Sequence, residues 1–466
     1  MRVERLRPLG KALYVRAPAR VQEALLSGYF RIKSKRLYGA TFDRHHALLR
    51  RSQWLDAGAI DRLQAERLQH ILTIASRTPY YRGLFLSSGI EPREINGAKD
   101  LEQVPALPKE HFRRAPEQFV DPRVRDPFVT LTSGTTGTPL RLFWNPDLEP
   151  IDAAFLERQY GWVGYRSSDR HVKIRADMVV PGTEQSRSPW RFIRSLNELR
   201  MSAFHLSMDT ASAYVDRIRS FRPKALIAYP SSAALLAAYV KAEGVDCQIP
   251  LVFTSCERLL ASQREMIEEA LHARVLDHYG QSEGVAAIQQ CEAQSYHLIP
   301  EYGIIELLPV AGHANTDLRE IVATGLWNEA MPLLRYRTGD YVRLGPEEHC
   351  SCGRVFPTVG EILGREGDLL LSRNGSWVGR ADCAFLGVVG LIEGQILQHE
   401  DRSVTVRIVP GERLNSGAEA AITEALRGRL GDLPVTIERV SEIPRDRSGK
   451  FRAVVSNSNL QAIPFD

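Results

Sequence analysis

LTSGTTGTPL, at residues 131–140, is the stretch on which the reading of this chain turns. It sits inside FVTLTSGTTGTPLRLFW, whose β-branched and aromatic flanks read as strand, Gly/Thr-rich turn, strand. A turn of glycines and hydroxyl residues presents backbone N–H groups and hydroxyls to an anion, and small side chains let phosphate oxygens approach closely. It is not a Walker A loop, which ends in Gly-Lys-Ser/Thr. Thr138-Pro139 follows instead, so a lysine for phosphate has to come from elsewhere in the chain. A plain hairpin turn, the competing reading, needs only one or two glycines. The segments downstream decide between them.

Around this stretch the chain alternates. Before it, the first hundred residues are rich in helical patterns: Leu63, Leu68, Ile71, Leu72 and Ala75 recur at helical spacing, and Thr78-Pro79 ends that helix. After it, ALIAYP (225–230), IPLVFTS (249–255) and RVLDHYG (274–280) read as strands separated by helices, which predicts an α/β architecture with mostly parallel strands. Residues 302–308, 319–324 and 341–344 read as shorter, antiparallel strands. From about residue 365 the pattern restarts with SVTVRIVP as strand, AEAAITEALRGRL as helix and PVTIERV as strand. The expected organisation is a large domain over residues 1–364, helical to about residue 120, and a small C-terminal α/β domain over 365–466.

The 466 residues are too many for one ordinary core. A hydrophobic fraction of 44% and a charged fraction of 25% are soluble globular averages. The net charge of +4 is compatible with anionic substrates and too weak, spread over this surface, to indicate nucleic acid. Arg16 and Arg20 interrupt any secretory h-region, and no apolar run approaches the roughly 20 residues that span a bilayer. The basic stretch 2–36 reads as a solvated helical face rather than a membrane-surface helix, and the expected location is cytoplasmic. Six cysteines make no disulfide framework, which fits a reducing compartment.

Four further segments appear in order: HYGQSE (278–283), RYRTGD (335–340), GREGD (364–368) and SGKFR (448–452). Together with the Gly/Thr loop they resemble the adenylate-forming superfamily of acyl-CoA synthetases, luciferases and peptide-synthetase adenylation domains. Within it the chain is similar to the phenylacetate–CoA ligase group and its CapK-like capsular-polysaccharide branch, to which the run after Arg373 corresponds. The resemblance covers the chain from about Gln53 and implies a large multi-subdomain N-terminal domain with a small mobile C-terminal domain. It implies that Ser133, Gly134, Thr135, Thr136 and Gly137 hold the β- and γ-phosphates of ATP. Tyr279 would lie against adenine, Ser282 would bond the α-phosphate, and Glu283 would coordinate Mg²⁺. Asp340 would accept from both ribose hydroxyls, as an acceptor-only carboxylate can. Arg365 would reach the ribose and mark the hinge with Gly367 and Asp368, and Lys450 would be the catalytic lysine. Taken alone, SGK is a common surface turn; its place after the other segments gives it the role.

Relatives often carry aspartate two residues after the hinge arginine. Here Gly367 stands there and Asp368 follows, which leaves open whether the thioester-forming conformation is used. Coenzyme A is the expected acceptor, with an amine, sugar or carrier protein as the alternative, and a non-catalytic nucleotide-binding scaffold as a third reading. Tyr229 and Ser231 fall where the family places acyl-binding residues, although core packing explains Tyr229 equally well.

Cys350 and Cys352 form a C-x-C pair before glycine, and Cys291 precedes His297 by six positions. Three thiolates and one imidazole suit tetrahedral zinc, a site that similar elements in relatives also form; buried unpaired cysteines are the competing reading. His349 and Cys256 are substitute ligands. His171, His205 and His272 lack a paired nucleophile and read as structural, and no G-x-S-x-G elbow is present.

Overall fold

The computed structural model describes residues 14, 17–131, 140–175, 179, 188–310, 317–345, 350–365, 370–373, 377–378, 381–385, 388, 390–411, 413–445 and 451–456. Ser133, Gly134, Thr135, Thr136, Gly137, His349, Gly367, Asp368 and Lys450 therefore lie outside the described residues. Two compact units are present: one comprises Met1–Arg31, Ser168–Val275 and Leu363–Asp466, the other Ile32–Ser167 and Leu276–Ile362.

In the first unit, the strands Leu251–Ser255, Ala225–Ala228, His171–Arg175 and Glu198–Ser202 lie side by side and parallel, and Trp190–Ile193 closes the edge antiparallel. Parallel strands need crossovers. The helices Met208–Phe221, Pro230–Glu243 and Ala261–Leu271 supply apolar faces such as Tyr214, Ile218, Leu236 and Ile267, which pack with Val172, Leu226 and Val252. Strand Leu251–Ser255 is buried at every position, as a central parallel strand requires. In such sheets, ligands collect at the carboxyl ends of the strands. At those ends lie Tyr229-Pro230-Ser231 and Cys256-Glu257.

The same unit contains a smaller sheet from the last hundred residues. Its order is Val435–Arg439, Val404–Pro410, Leu391–Gln398 and Val454–Ser456, with an antiparallel pair at the centre and a parallel strand on each side. Helix Ala418–Leu430 lays Ile422, Leu426 and Leu430 on Ile396, Val406 and Ile408, a core separate from that of the parallel sheet.

The second unit opens with helices. Ala57–Ala75 is capped by Asp56, whose Oδ1 accepts from the Ala59 N–H at 2.8 Å, and buries Ile60, Leu68, Ile71, Leu72 and Ala75. Each of these Ile and Leu side chains contributes roughly 1.5–3 kcal/mol by leaving water. Thr78-Pro79 ends this helix as expected and also begins another: Thr78 is the N-cap of Pro79–Ser88, with proline at its first position. The antiparallel strands Gly303–Pro309, Leu318–Gly325 and Tyr336–Arg343 form one sheet, bulged between Glu320 and Val322. Thr358–Val359, Tyr296–Leu298, Ala287–Gln290 and the end of Arg274–Gly280 pair antiparallel in that order. Phe128–Leu131 pairs antiparallel with Arg141–Trp144, so the flanks of the Gly/Thr stretch are the two strands of a hairpin. The last of the three sheet strands begins at Tyr336, earlier than the expected 341, because Tyr336 is itself fully buried in the core. The RTGD residues consequently ride on a strand.

Candidate functional site

His278–Gly280 pairs with Ala287–Gln289, which makes residues 281–286 the turn between two strands. Gly284 has φ +68°, a left-handed conformation open to glycine. A Cβ at Gly303 would lie 2.0 Å from the Val285 carbonyl oxygen, so this strand approaches the turn backbone to backbone. The Trp144 indole N–H donates to the Ser282 carbonyl at 3.0 Å. Ser282 and Glu283 are thus carried on a turn held from two sides.

Two carboxylates converge here. Asp340, 8% exposed, accepts a 2.8 Å hydrogen bond from the Tyr279 hydroxyl at Oδ2. Gln281 Nε2 donates to the same phenol at 2.8 Å, and the Asp340 N–H donates to Thr338 Oγ1 at 3.0 Å. Burial, and then the negative charge of Asp340, raise the Tyr279 pKa well above its ordinary value, so the phenol remains a donor. Glu283, 6% exposed, accepts from the Tyr336 hydroxyl at 3.1 Å and has Lys109 Nζ at 4.0 Å. A buried acceptor-only carboxylate fits a pair of hydroxyls, and one beside a lysine and a phenol fits a cation–phosphate assembly.

Lys109, Tyr336, Thr338, Gln281 and Trp144 had no role assigned from sequence. Tyr336 and Thr338 lie within the quoted RYRTGD, so their neighbourhood was visible; Lys109 opens the helix Lys109–Arg114, and nothing local to that helix indicates Glu283 as its neighbour. Arg335, from the same motif, is structural. It takes φ +46° and grips both oxygens of Glu306, and its Nη1 donates to the carbonyls of Glu102 and Val104.

Arg365, exposed, and the buried Tyr229 and Ser231 belong to the other unit. Tyr229 caps the helix Pro230–Glu243, with the Arg175 guanidinium 6.0 Å from its ring centroid, and the Ser231 N–H donates to Glu257. His171 is 3.3 Å from the Glu198 carboxylate, whereas His205 has the fully buried Ser202 Oγ at 2.9 Å, a hydroxyl partner that the expectation of an unpaired histidine did not include.

The ligand atoms of Cys291, His297, Cys350 and Cys352 all lie within 4.8 Å of one another. Cys291 Sγ and Cys350 Sγ are 3.6 Å apart, and Cys352 Sγ is 3.4 Å from His297 Nε2. His297 Nδ1 meets the Phe356 carbonyl at 3.0 Å, which assigns that nitrogen as the donor and leaves Nε2 for a ligand. Burial lowers the His297 pKa and favours the neutral imidazole. The donor set, number and orientation fit tetrahedral zinc. Cys256 is not a member; its sulfur lies 3.8 Å from Arg175 Nη1.

Among the described residues, no helix is long and apolar enough to cross a membrane. The CapK C-terminal domain family matches residues 370–457. Protein CapK of Staphylococcus aureus is 23% identical over 403 residues, covering 85% of this chain and 89% of that protein. Phenylacetate–coenzyme A ligase of Thermus thermophilus is 29% identical over 325 residues, covering 67% and 71%. A crystal structure of 2-hydroxyisobutyryl-CoA ligase in the postadenylation state, in complex with R3-HIB-AMP, has a TM-score of 0.68 at 20% identity, over 88% of this chain and 91% of that one. The fold is thus that of a large N-terminal domain with a small C-terminal α/β domain. The chain is similar in sequence to CapK and to the phenylacetate–coenzyme A ligases, and its residues 370–457 match the CapK C-terminal domain family.

Proposed function

We propose that the chain activates a carboxylic acid as its acyl-AMP, with release of pyrophosphate, and passes the acyl group to coenzyme A. The observation that carries this reading is the pairing of Tyr279 with Asp340 beside a turn that holds Glu283 against Lys109 and Tyr336. One carboxylate oxygen of the acid attacks the α-phosphorus of ATP, the bond from that phosphorus to the bridging oxygen breaks, and pyrophosphate leaves with the electron pair. Both reactants are anions, so the work of the protein is positioning and neutralisation of developing charge.

Tyr279 keeps Asp340 oriented while that carboxylate receives the ribose hydroxyls. Ser133, Gly134, Thr135, Thr136 and Gly137 cradle the outer phosphates, and Ser282 bonds the α-phosphate. Glu283 is the residue that would hold Mg²⁺, which when bound neutralises phosphate charge. Lys450 supplies a point charge at the α-phosphate. Arg365, Gly367 and Asp368 form the hinge between domains 1–364 and 365–466. Tyr229 and Ser231 contribute to the acid pocket. Cys291, His297, Cys350 and Cys352 hold a zinc ion that staples two loops and stays out of the chemistry.

The test is pyrophosphate release screened over aryl, fatty and amino acids with ATP and Mg²⁺. Lys450→Ala should lose adenylation and keep ATP binding; normal pyrophosphate release by that variant removes Lys450 from the mechanism.

A second reading keeps the adenylate and changes the acceptor to an amine, sugar or carrier in surface-polysaccharide synthesis. It is favoured by the CapK C-terminal match over 370–457, which includes Lys450 and the hinge-proximal strands. Consumption of the acyl-adenylate on addition of coenzyme A decides between the two. A non-catalytic scaffold is supported only if folded protein with Mg²⁺ shows no calorimetric ATP binding.

A further inference from the structure

At the carboxyl end of strand Leu251–Ser255 the chain turns through Cys256, a non-glycine residue at φ +72°. For an L-residue this left-handed conformation is strained. Its consequence is the direction of Glu257. One oxygen, Oε1, accepts the Phe451 N–H at 2.6 Å; the other, Oε2, accepts the Ser231 N–H at 3.1 Å. Ser231 lies in the first turn of helix Pro230–Glu243, where backbone donors have no helical acceptor and the helix dipole favours an anion. Phe451 is 8% exposed, packs with Val409 and Ile443, and has the Arg445 guanidinium 4.7 Å from its ring centroid. Gln395 Nε2 donates to the Arg452 carbonyl at 2.8 Å, so the next residue is anchored as well. One carboxylate therefore ties the strand-end loop of the parallel sheet to two distant segments. One is the helix start at the expected acid pocket; the other is the residue joined by a single peptide bond to Lys450.

We propose that Glu257 is a positioning residue for adenylation: it docks the Lys450-bearing segment, through the Phe451 amide, onto the strand-end loop and the start of helix Pro230–Glu243. This rests on the reading of Lys450 as the adenylation lysine. Both oxygens are needed because two N–H donors from separate segments, together with the Ser231 side chain, meet on this one carboxyl group. Glutamine at this position keeps the shape and replaces one acceptor with an NH₂ that faces an N–H. Glu257→Gln therefore releases one of the two segments without opening a cavity.

The experiment has two arms. In the first, hydrogen exchange is followed by mass spectrometry in the ligand-free full-length chain, at peptides containing Phe451 and Ser231. Glu257→Gln should accelerate exchange at least about tenfold at one or both sites while the rest of the chain, including helix Ala57–Ala75, keeps its protection. Unchanged exchange at both overturns the proposal. In the second, steady-state pyrophosphate release is measured with a cognate acid. The variant should lose on the order of 10- to 100-fold in kcat, the size expected for a misplaced catalytic group, with KM for ATP and acid within about threefold of wild type. Equal kcat overturns the positioning role, as does a rise in KM without a fall in kcat. If wild-type protein releases no pyrophosphate with any acid, the adenylation reading fails, and the positioning role fails with it. The exchange arm then shows separately whether Glu257 docks Phe451.

Discussion

The Tyr279 hydroxyl donates to Asp340 Oδ2 at 2.8 Å, leaving Oδ1 as the oxygen not engaged by that phenol. If Asp340 receives the ribose, the phenol orients it. Asp340→Asn should raise the Kd for ATP by about tenfold or more, since a bidentate acceptor becomes half donor. Tyr279→Phe should raise it only about fivefold, the value of one hydrogen bond. Calorimetric titration with ATP checks both; an Asn variant that binds ATP like wild type removes Asp340 from the nucleotide site.

Arg335 and Glu306 form a doubly bonded, largely buried pair, with side chains 10% and 12% exposed. Removing one partner leaves the other charge uncompensated. Arg335→Met should destabilise the chain by about 3–5 kcal/mol, and Arg335→Met with Glu306→Met should recover most of that. Urea midpoints give the comparison. Additive losses in the double variant would show that the pair is not the source of the cost.

The cysteine cluster predicts metal. Protein purified without chelator should contain one zinc per chain by elemental analysis, and Cys291→Ser with Cys352→Ser should contain none and melt at lower temperature. Zinc at wild-type stoichiometry in the double variant would exclude this ligand set.

Asp152 carries a pH signature. Burial raises its carboxyl pKa to about 7, partly offset by the 2.8 Å hydrogen bond from Tyr302. Because the folded value exceeds the unfolded one, folding takes up a proton. The stability gained is complete below 3.8 and lost as pH rises through about 7. Asp152→Asn keeps an acceptor for Tyr302 and removes the titration. The variant should match wild type near pH 4 and exceed it by on the order of 4 kcal/mol at pH 8. A constant difference across that range would assign the effect to packing instead.

Much of this architecture is local and therefore legible. The helical spacing of Leu68, Ile71, Leu72 and Ala75 reports a buried face directly, and VTVRIV alternates as the half-buried strand Val404–Pro410 does. The order of the Gly/Thr loop, HYGQSE, RYRTGD, GREGD and SGKFR carries the resemblance to adenylate-forming ligases, because each segment is a run of consecutive residues. Cys291, His297, Cys350 and Cys352 were legible for a related reason: sulfur and imidazole at short spacings have few other uses.

What could not be read from the order of residues were the pairings between segments far apart in sequence. Lys109 beside Glu283, Arg335 gripping Glu306, and Glu257 receiving the amides of Ser231 and Phe451 have no signal in periodicity. The sequence by itself determined the helices, most of the strands and the resemblance to CapK and the phenylacetate–coenzyme A ligases, because periodic burial and consecutive motifs depend on near neighbours. Only the tertiary structure decided which charges meet. Ion pairs and backbone hydrogen bonds act over a few ångströms, and chain separation places no constraint on what lies that close.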